Sequence, residues 1–166
     1  MSDRLRDLYS ANRRDLYTYL SRMSGDADLA LDLLQESFHN YFEHYRGKEM
    51  PDDLSSRRIL FRIARNLFIN HFRSKASQTT HLEEQYLEAA PAQNAGPDLT
   101  FAIQKLIQGL PEKERTAIVM RYLESMRLED IGAVLGLSVS AVSRLVSKSE
   151  KMLEWGAKKA GISLDA

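Results

Sequence analysis

Apolar residues recur every three to four positions through most of this chain, and that spacing predicts α-helices rather than strands. Strictly alternating apolar and polar runs, which would indicate a β-hairpin, are missing from the sequence. In the first half the pattern predicts helices over 3–23, 27–45 and 58–75, with a loop over 47–53 and a short turn over 53–57. We therefore predict an all-α fold.

The last third has the spacing of a helix-turn-helix, over residues 128–145. Gly132 allows close approach of the second helix, and Gly136 suits the left-handed backbone of a tight turn. Ser138 is then a natural N-cap for a second helix that runs to about Trp155. The apolar contacts between the two helices are assigned to Ile131, Leu135, Leu137, Val142 and Leu145. The exposed face of the second helix carries Ser140, Ser143, Arg144, Ser147 and Lys148. The segment is typical of major-groove DNA binding.

Between these parts the composition changes. Residues 76–98 are rich in Ala, Gln, Thr and Pro and carry acidic but no basic charge, which is typical of a flexible linker. Beyond it, Asp98 and Pro111 can begin helices over 99–108 and 112–123. The predicted organisation is two small helical domains joined by a linker, with bounds 1–76, 77–98, 99–156 and a tail over 157–166.

Composition narrows the class of protein further. The chain has no cysteine, which excludes disulfides and zinc thiolates within its 166 residues. It carries neither a signal peptide nor a run of about 20 apolar residues, so we expect a cytoplasmic protein without membrane insertion. Net charge is zero, with 23 basic and 23 acidic residues, but residues 56–75 hold six basic residues and no acidic one.

That basic segment is a helix with two faces. At 100° per residue the apolar arc, expected to face the core, is formed by Ile59, Leu60, Ile63, Ala64 and Leu67. The opposite arc is formed by Arg58, Arg62, Arg65, Ile69 and Arg73, flanked by Phe61 and Phe72. Guanidinium groups suit phosphates and aromatic rings suit unstacked bases, so this arc fits single-stranded nucleic acid. The alternative is a solvated face that pairs with Asp or Glu elsewhere in the chain.

Taken in order, three segments resemble the small bacterial RNA polymerase sigma factors of the extracytoplasmic-function group, and the resemblance covers nearly the whole chain. Asp32-Leu-Leu-Gln-Glu-Ser-Phe38 resembles the polymerase-binding motif of region two. Phe61-Arg-Ile-Ala-Arg-Asn-Leu-Phe-Ile-Asn-His-Phe-Arg73 resembles the helix that opens the minus-ten promoter element. Leu110-Pro-Glu-Lys-Glu-Arg-Thr-Ala-Ile-Val-Met-Arg-Tyr122 resembles the start of region four, which reads the minus-thirty-five element.

The resemblance implies partners and roles. It implies binding to core RNA polymerase, at the clamp helices of the largest subunit and at the flap, with an anti-sigma protein as a further partner and no cofactor. The residues it implies for polymerase binding are Asp32, Gln35 and Glu36. Those implied for the minus-ten element are Arg58, Phe61, Arg62, Arg65, Asn66, Phe72 and Arg73. Those implied for the minus-thirty-five element are Ser140, Ser143, Arg144, Ser147 and Lys148.

The sequence departs from the family pattern at several positions. Ile59 stands where Trp is frequent, and Asn70 where Asp is frequent. Ser143 and Leu145 stand where family members often carry Lys or Arg. Fewer cations mean fewer phosphate contacts, so we expect weak promoter binding by the factor alone and a promoter sequence unlike the usual one.

Three other functions remain open from the residues. A non-sigma helix-turn-helix regulator would not need the basic aromatic helix or the 32–38 motif. A decoy that titrates an anti-sigma protein would be compatible with the serine-rich second helix. A di-iron enzyme would need the Glu36-x-x-His39 spacing twice, and the sequence has no second copy.

Overall fold

A computed structural model describes residues 3–78 and 99–163; for residues 75–78 it describes the backbone alone. Within those ranges the secondary structure is helical throughout, which confirms the all-α prediction. The helices are α1 (Asp3–Ser24), α2 (Ala27–His44), α3 (Asp53–Gln78), α4 (Leu99–Gln108), α5 (Glu112–Ile118), a π-helical turn (Val119–Leu123), α6 (Leu128–Leu135) and α7 (Val139–Lys159).

Helices α1, α2 and α3 form an N-terminal three-helix unit. The carboxylate of Asp26 begins α2 by accepting hydrogen bonds from the backbone N–H groups of Asp28 and Leu29, at 3.0 and 3.1 Å. The core of this unit is apolar and largely aromatic, and includes Leu16, Tyr19, Leu20, Phe38, Tyr41, Leu60, Phe61 and Phe68. A polar contact within this core joins the buried hydroxyls of Tyr41 and Ser56, 2.7 Å apart.

Helix α3 is a single helix of 26 residues, so the predicted break between a short turn over 53–57 and a helix from Arg58 was wrong. The physical reason lies at its start. The Asp52 carboxylate accepts hydrogen bonds from the backbone N–H and the hydroxyl of Ser55, at 2.8 and 3.1 Å. These bonds hold the pKa of Asp52 below its ordinary value and stabilise the first turn.

The buried face of α3 is rotated from the predicted arc. Leu60, Phe61, Ala64 and Phe68 are buried, whereas Ile59, Ile63 and Leu67 are half-buried. The predicted arc included Leu60 and Ala64 correctly, and its other members, Ile59, Ile63 and Leu67, pack at the partly buried edge of the core. Phe61 and Phe68 are buried but were not part of the predicted arc. Packing of Phe61 against Tyr19 of α1 sets the observed rotation, with ring centroids 5.4 Å apart.

The C-terminal unit contains the predicted helix-turn-helix, formed by α6 and α7 at an angle of 96°. Gly136 has φ +70°, in the left-handed region, and the hydroxyl of Ser138 accepts a hydrogen bond from Ala141 N–H at 3.2 Å. A Cβ on Gly132 would lie 2.5 Å from the carbonyl oxygen of Leu137, so the predicted requirement for glycine is confirmed there.

Two boundaries in this unit differ from the sequence predictions. The predicted helix over 112–123 is α-helical to Ile118 and continues as the wider π turn. Helix α7 runs past Trp155 to Lys159, so the first residues of the predicted tail are helical. The predicted linker lies mostly outside the described residues, as does the proposed cap Asp98.

The two units lie against each other. The Arg115 guanidinium donates to the carbonyl of Met23 at the end of α1, and to those of Gln108 and Leu110 after α4, at 2.8, 2.8 and 3.0 Å. The Gln108 side-chain amide donates in turn to the carbonyl of Arg22. The carbonyls of Arg22 and Met23 at the C-terminus of α1 thus accept hydrogen bonds from the C-terminal unit. The Arg115 side chain that binds Met23 also binds the carbonyl of Gln108, the last residue of α4.

None of the described helices is by itself long and apolar enough to cross a membrane, although α6 and α7 taken together as a sharply bent pair meet that test on length and composition.

Candidate nucleic-acid interface

Three of the four arginines of the predicted basic face on α3 contact the C-terminal unit. Arg65 donates from Nε and Nη2 to the two carboxylate oxygens of Glu112, at 3.0 and 3.1 Å. Arg58 donates to Oδ1 of Asp130, with Nε at 2.8 Å and Nη2 at 2.7 Å. Arg62 donates to the backbone carbonyl of Ala133. In this conformation Arg58 and Arg65 therefore pair with acidic residues elsewhere in the chain, which is the alternative that the sequence left open.

These ion pairs are partly withdrawn from solvent. The side chains of Arg65 and Asp130 are 15% and 13% exposed, respectively. Burial of Asp130 acts to raise its pKa, but hydrogen bonds from Arg58 and Arg127 outweigh it and hold that pKa below its ordinary value. The Asp130 carboxylate is therefore charged at neutral pH, and its contact with Arg58 is an ion pair.

The two aromatic residues predicted for this face differ in position. The expectation that Phe61 flanks the arginines is wrong, because its ring is fully buried in the N-terminal core with the Arg57 guanidinium 4.9 Å from its centroid. Phe72 is half-buried and packs against Phe68, with centroids 4.7 Å apart. Stacking on a base from the buried position of Phe61 would require the core to open.

The remaining candidates on α3 are accessible. Asn66 and Arg73 are exposed, on the part of the helix beyond Arg65. Exposed side chains of this kind can contact a nucleic-acid backbone without any rearrangement of the protein.

The outer face of α7 is exposed as predicted, at Ser140, Ser143, Arg144, Ser147 and Lys148. The Lys148 ammonium lies 3.1 Å from the Glu114 carboxylate while remaining 66% exposed. The Glu114 carboxylate itself is only 10% exposed, so transfer of Lys148 to a phosphate would leave a nearly buried carboxylate without this partner.

A groove between α4 and α7 runs alongside this face. Four of the candidate residues, Ser143, Arg144, Ser147 and Lys148, line it together with Phe101 and Trp155. Trp155 is 63% exposed, with the Lys159 ammonium 4.1 Å from its ring. The sequence interpretation missed these aromatic residues; the single tryptophan of the chain was the available signal.

The three candidate polymerase-binding residues share one face of α2. Asp32, Gln35 and Glu36 are exposed, and Leu31 beside them is 46% exposed. The opposite face of the same helix is buried and includes Leu33, Leu34, Ser37 and Phe38. The exposed face of α2 is therefore acidic and polar, with the apolar side chain of Leu31 beside it. The buried residues on the opposite face fix the position of the helix.

No group of three or more potential metal ligands comes together among residues 3–78 and 99–163. Glu36 and His39, the spacing considered for a di-iron enzyme, both lie exposed on α2.

A basic helix in one helical unit and a helix-turn-helix in a second define a DNA-binding protein with two contact surfaces. Sequence comparison gives the class: residues 8–78 match the family model for sigma-70 region 2, and residues 100–153 match that for sigma-70 region 4. The chain belongs to the extracytoplasmic-function (ECF) group of the sigma-70 family of RNA polymerase sigma factors.

Characterised relatives are similar over most of their length. The chain is 26% identical to the ECF RNA polymerase sigma factor SigM of Bacillus subtilis, over 89% of this chain and 91% of SigM. It is also 26% identical to SigW of the same organism, over 91% of this chain and 87% of SigW.

Solved structures share the fold. The sigma factor RpoE of Bartonella quintana, in complex with the anti-sigma factor NepR, gives a TM-score of 0.73 at 22% identity and covers 99% of this chain and 100% of its own. CnrH, in complex with the cytosolic domain of CnrY, gives 0.62 at 17% identity and covers 92% of this chain and 87% of its own.

Proposed function

We propose that this sigma factor directs core RNA polymerase to promoters through three surfaces, each carried by a different helix. The N-terminal unit, 1–76, supplies polymerase binding and opening of the minus-ten element. The C-terminal unit, 99–156, supplies recognition of the minus-thirty-five element. The observation that carries the proposal is that the candidate residues lie on three different helices, α2, α3 and α7, so each contact can be altered by itself.

The polymerase surface is assigned to the exposed face of α2. Asp32 and Glu36 supply negative charge, Gln35 supplies an amide between them, and Leu31 adds exposed apolar area. Such a face fits basic and polar helices such as those of the clamp. Charge complementarity of this kind sets orientation and association rate more than affinity.

The minus-ten surface is assigned to the arginines and the polar residues of α3. Arg58, Arg62, Arg65 and Arg73 would contact the backbone of the separated strand, and Asn66 can hydrogen-bond a base edge. Phe72, near the exposed end of this surface, is the remaining aromatic candidate. The strand is captured once thermal fluctuation exposes it, so the free energy of binding offsets the cost of opening and no other energy source is needed.

The minus-thirty-five surface is assigned to the outer face of α7. Arg144 and Lys148 would neutralise phosphates, while Ser140, Ser143 and Ser147 can donate or accept at base edges or phosphates. With two cations on this face, affinity and its salt dependence should both be modest. The flap of the polymerase would hold the C-terminal unit in place for this contact.

Regulation by an anti-sigma protein is part of the proposal. Two structural relatives, RpoE and CnrH, are bound to NepR and to the cytosolic domain of CnrY. A partner that covers the exposed face of α2 would block polymerase binding by this chain. Because promoters and polymerase are intracellular, we place the protein in the cytoplasm, where it acts without catalysing a reaction of its own.

Run-off transcription with purified core polymerase and a library of genomic fragments tests the proposal and yields the promoter. The chain should give discrete transcripts that neither core alone nor the chain alone produces. If the complete chain neither joins core polymerase nor changes its transcripts, the proposal fails.

Two matched double variants then separate the surfaces. Arg62→Ala with Arg65→Ala should reduce transcription from duplex promoters about tenfold or more, with little change in polymerase affinity, and a premelted template should restore part of the loss. Gln35→Ala with Glu36→Ala should instead weaken polymerase binding on both templates. Equal effects of the two pairs on polymerase affinity would contradict the assignment.

A further inference from the structure

Two cations on the outer face of α7 differ in their partners. Arg144 and Lys148 lie one helical turn apart, and both are exposed. The Lys148 ammonium donates to Oε1 of Glu114 at 3.1 Å. In the part of the chain that the structure describes, no carboxylate lies within ion-pair distance of the Arg144 guanidinium. The two cations therefore present different net charge to an approaching phosphate.

The Glu114 carboxylate is the buried member of the pair. Its side chain is 10% exposed, against 66% for Lys148. Among residues 3–78 and 99–163, the Lys148 ammonium is the only group that donates a hydrogen bond to this carboxylate. A carboxylate that loses its one cation in this position is costly, because burial limits the access of water to its oxygens. Lys148 is therefore held by a partner that cannot follow it into solvent.

Packing fixes the position of Glu114. This residue lies in the first turn of α5, and α5 packs against α7. The buried apolar residues along the two helices include Ala117, Ile118, Val142 and Val146. A second contact joins the same parts of the unit, because the Tyr122 hydroxyl of the π-helical turn donates to the Glu150 carboxylate, two residues beyond Lys148. The Glu114 carboxylate therefore stays at a defined place beside the outer face of α7, within reach of Lys148.

We propose that Glu114 sets the strength of minus-thirty-five binding: its carboxylate is a built-in counter-ion of Lys148, so Lys148 contributes less to phosphate binding than Arg144 does. The inference rests on the proposed role of α7. Each phosphate that a free cation neutralises releases counterions from DNA, and the salt dependence of binding reports the number of such contacts. Glu114 touches no DNA itself and acts through Lys148, as a positioning residue.

Replacement of Glu114 by glutamine tests the proposal in the complete chain. The amide keeps the shape of the side chain and an oxygen for Lys148, but it removes the negative charge. The matched control is Glu154→Gln, which changes net charge equally at an exposed position of α7. The probe is a short fluorescein-labelled DNA duplex of random sequence, because phosphate contacts depend little on sequence. Anisotropy gives its affinity over about 50 to 200 mM salt.

The Glu114→Gln variant should bind this duplex several-fold more tightly than the control at the low end of that range. Its plot of log affinity against log salt should be steeper by up to about 0.9, the value for one added phosphate contact. Both gains should vanish in Glu114→Gln with Lys148→Gln, since they depend on the lysine, whereas an effect of altered packing would persist. Equal affinity and slope for Glu114→Gln and Glu154→Gln would overturn the inference, and so would a gain that survives the second substitution.

A second comparison leaves Glu114 in place and decides the question if circular dichroism shows that Glu114→Gln loses helicity. Arg144→Gln should lower the slope of the otherwise unchanged chain by about 0.9, and Lys148→Gln should lower it by about half as much or less. Equal reductions for these two variants would contradict the role of Glu114. Polymerase is absent from both experiments, so failure of the chain to bind core polymerase would refute the proposed function and leave these results interpretable.

Discussion

Replacement of Gly132 by alanine tests how the helix-turn-helix is held. A Cβ at this position would lie 2.5 Å from the carbonyl oxygen of Leu137 and 3.6 Å from Cγ2 of Val142. The first of these atoms belongs to the backbone of the turn, which is fixed on one side by the left-handed Gly136 and on the other by the Ser138 cap. The carbonyl cannot move aside as a flexible side chain would, so the turn itself must shift.

The size of the effect follows from two opposing contributions. Forcing an extra methyl group into a close-packed site costs about 1–3 kcal/mol, and a backbone obstacle places Gly132→Ala toward the upper end. Alanine is better than glycine inside a helix by about 1 kcal/mol. We expect a net loss of about 1–2 kcal/mol in the free energy of unfolding, or about 3–8 °C in Tm at this chain length.

Thermal unfolding followed by circular dichroism measures this loss, with Gly109→Ala as the matched control. A Cβ on Gly109 meets its nearest atom, the carbonyl oxygen of Leu106, at 3.4 Å, which is an ordinary contact. The control should stay within about 0.5 kcal/mol of the unchanged chain. If Gly132→Ala unfolds at the same temperature as the unchanged chain or above it, the close approach of the turn is not what requires glycine there.

Two further predictions concern the contact between units and the N-terminal core. Burial raises the pKa of Glu124 to about 7, with Asp15 adding to the shift and Arg57 and Arg22 opposing it. Packing of the two units against each other therefore takes up a proton at Glu124. The packed arrangement is favoured at low pH and loses this stabilisation as pH rises through about 7. Energy transfer between one dye on each unit should fall over that pH range, and Glu124→Gln should abolish the pH dependence. Phe61→Ala should lower the free energy of unfolding by about 3–5 kcal/mol in urea denaturation, whereas a loss below about 1 kcal/mol would contradict its burial.

The features that sequence predicted well are those set by local chemistry. The start of α2 follows from one capping carboxylate, Asp26, and the turn between α6 and α7 follows from Gly136 and Ser138. Each of these residues acts on backbone groups only a few positions away, so the local sequence was sufficient to predict the helix ends. The assignment of Gly132 also held, with the turn carbonyl as the atom that needs the space.

The errors concern interactions between distant parts of the chain. A helical wheel gives the relative positions of residues on α3, but another helix decides which side is buried. Tyr19 of α1 packs on Phe61, which turned an expected stacking residue into a core residue. Likewise, the pairs of Arg58 and Arg65 join residues 72 and 47 positions apart, and periodicity carries no information about such partners.

Ion pairs between the two units affect the electrostatic potential of α3. Arg58 and Arg65 are paired with Asp130 and Glu112 where the two units pack together, so the basic face of α3 adds little to the long-range field of the free factor. When phosphates replace the carboxylates, the released Glu112 and Asp130 acquire counterions as the DNA loses them. The salt dependence of DNA binding by the free factor should therefore be shallower than its number of phosphate contacts implies, and it should steepen when both acids are replaced by amides. A slope unchanged by that replacement would mean that DNA and the C-terminal unit do not share the same arginines.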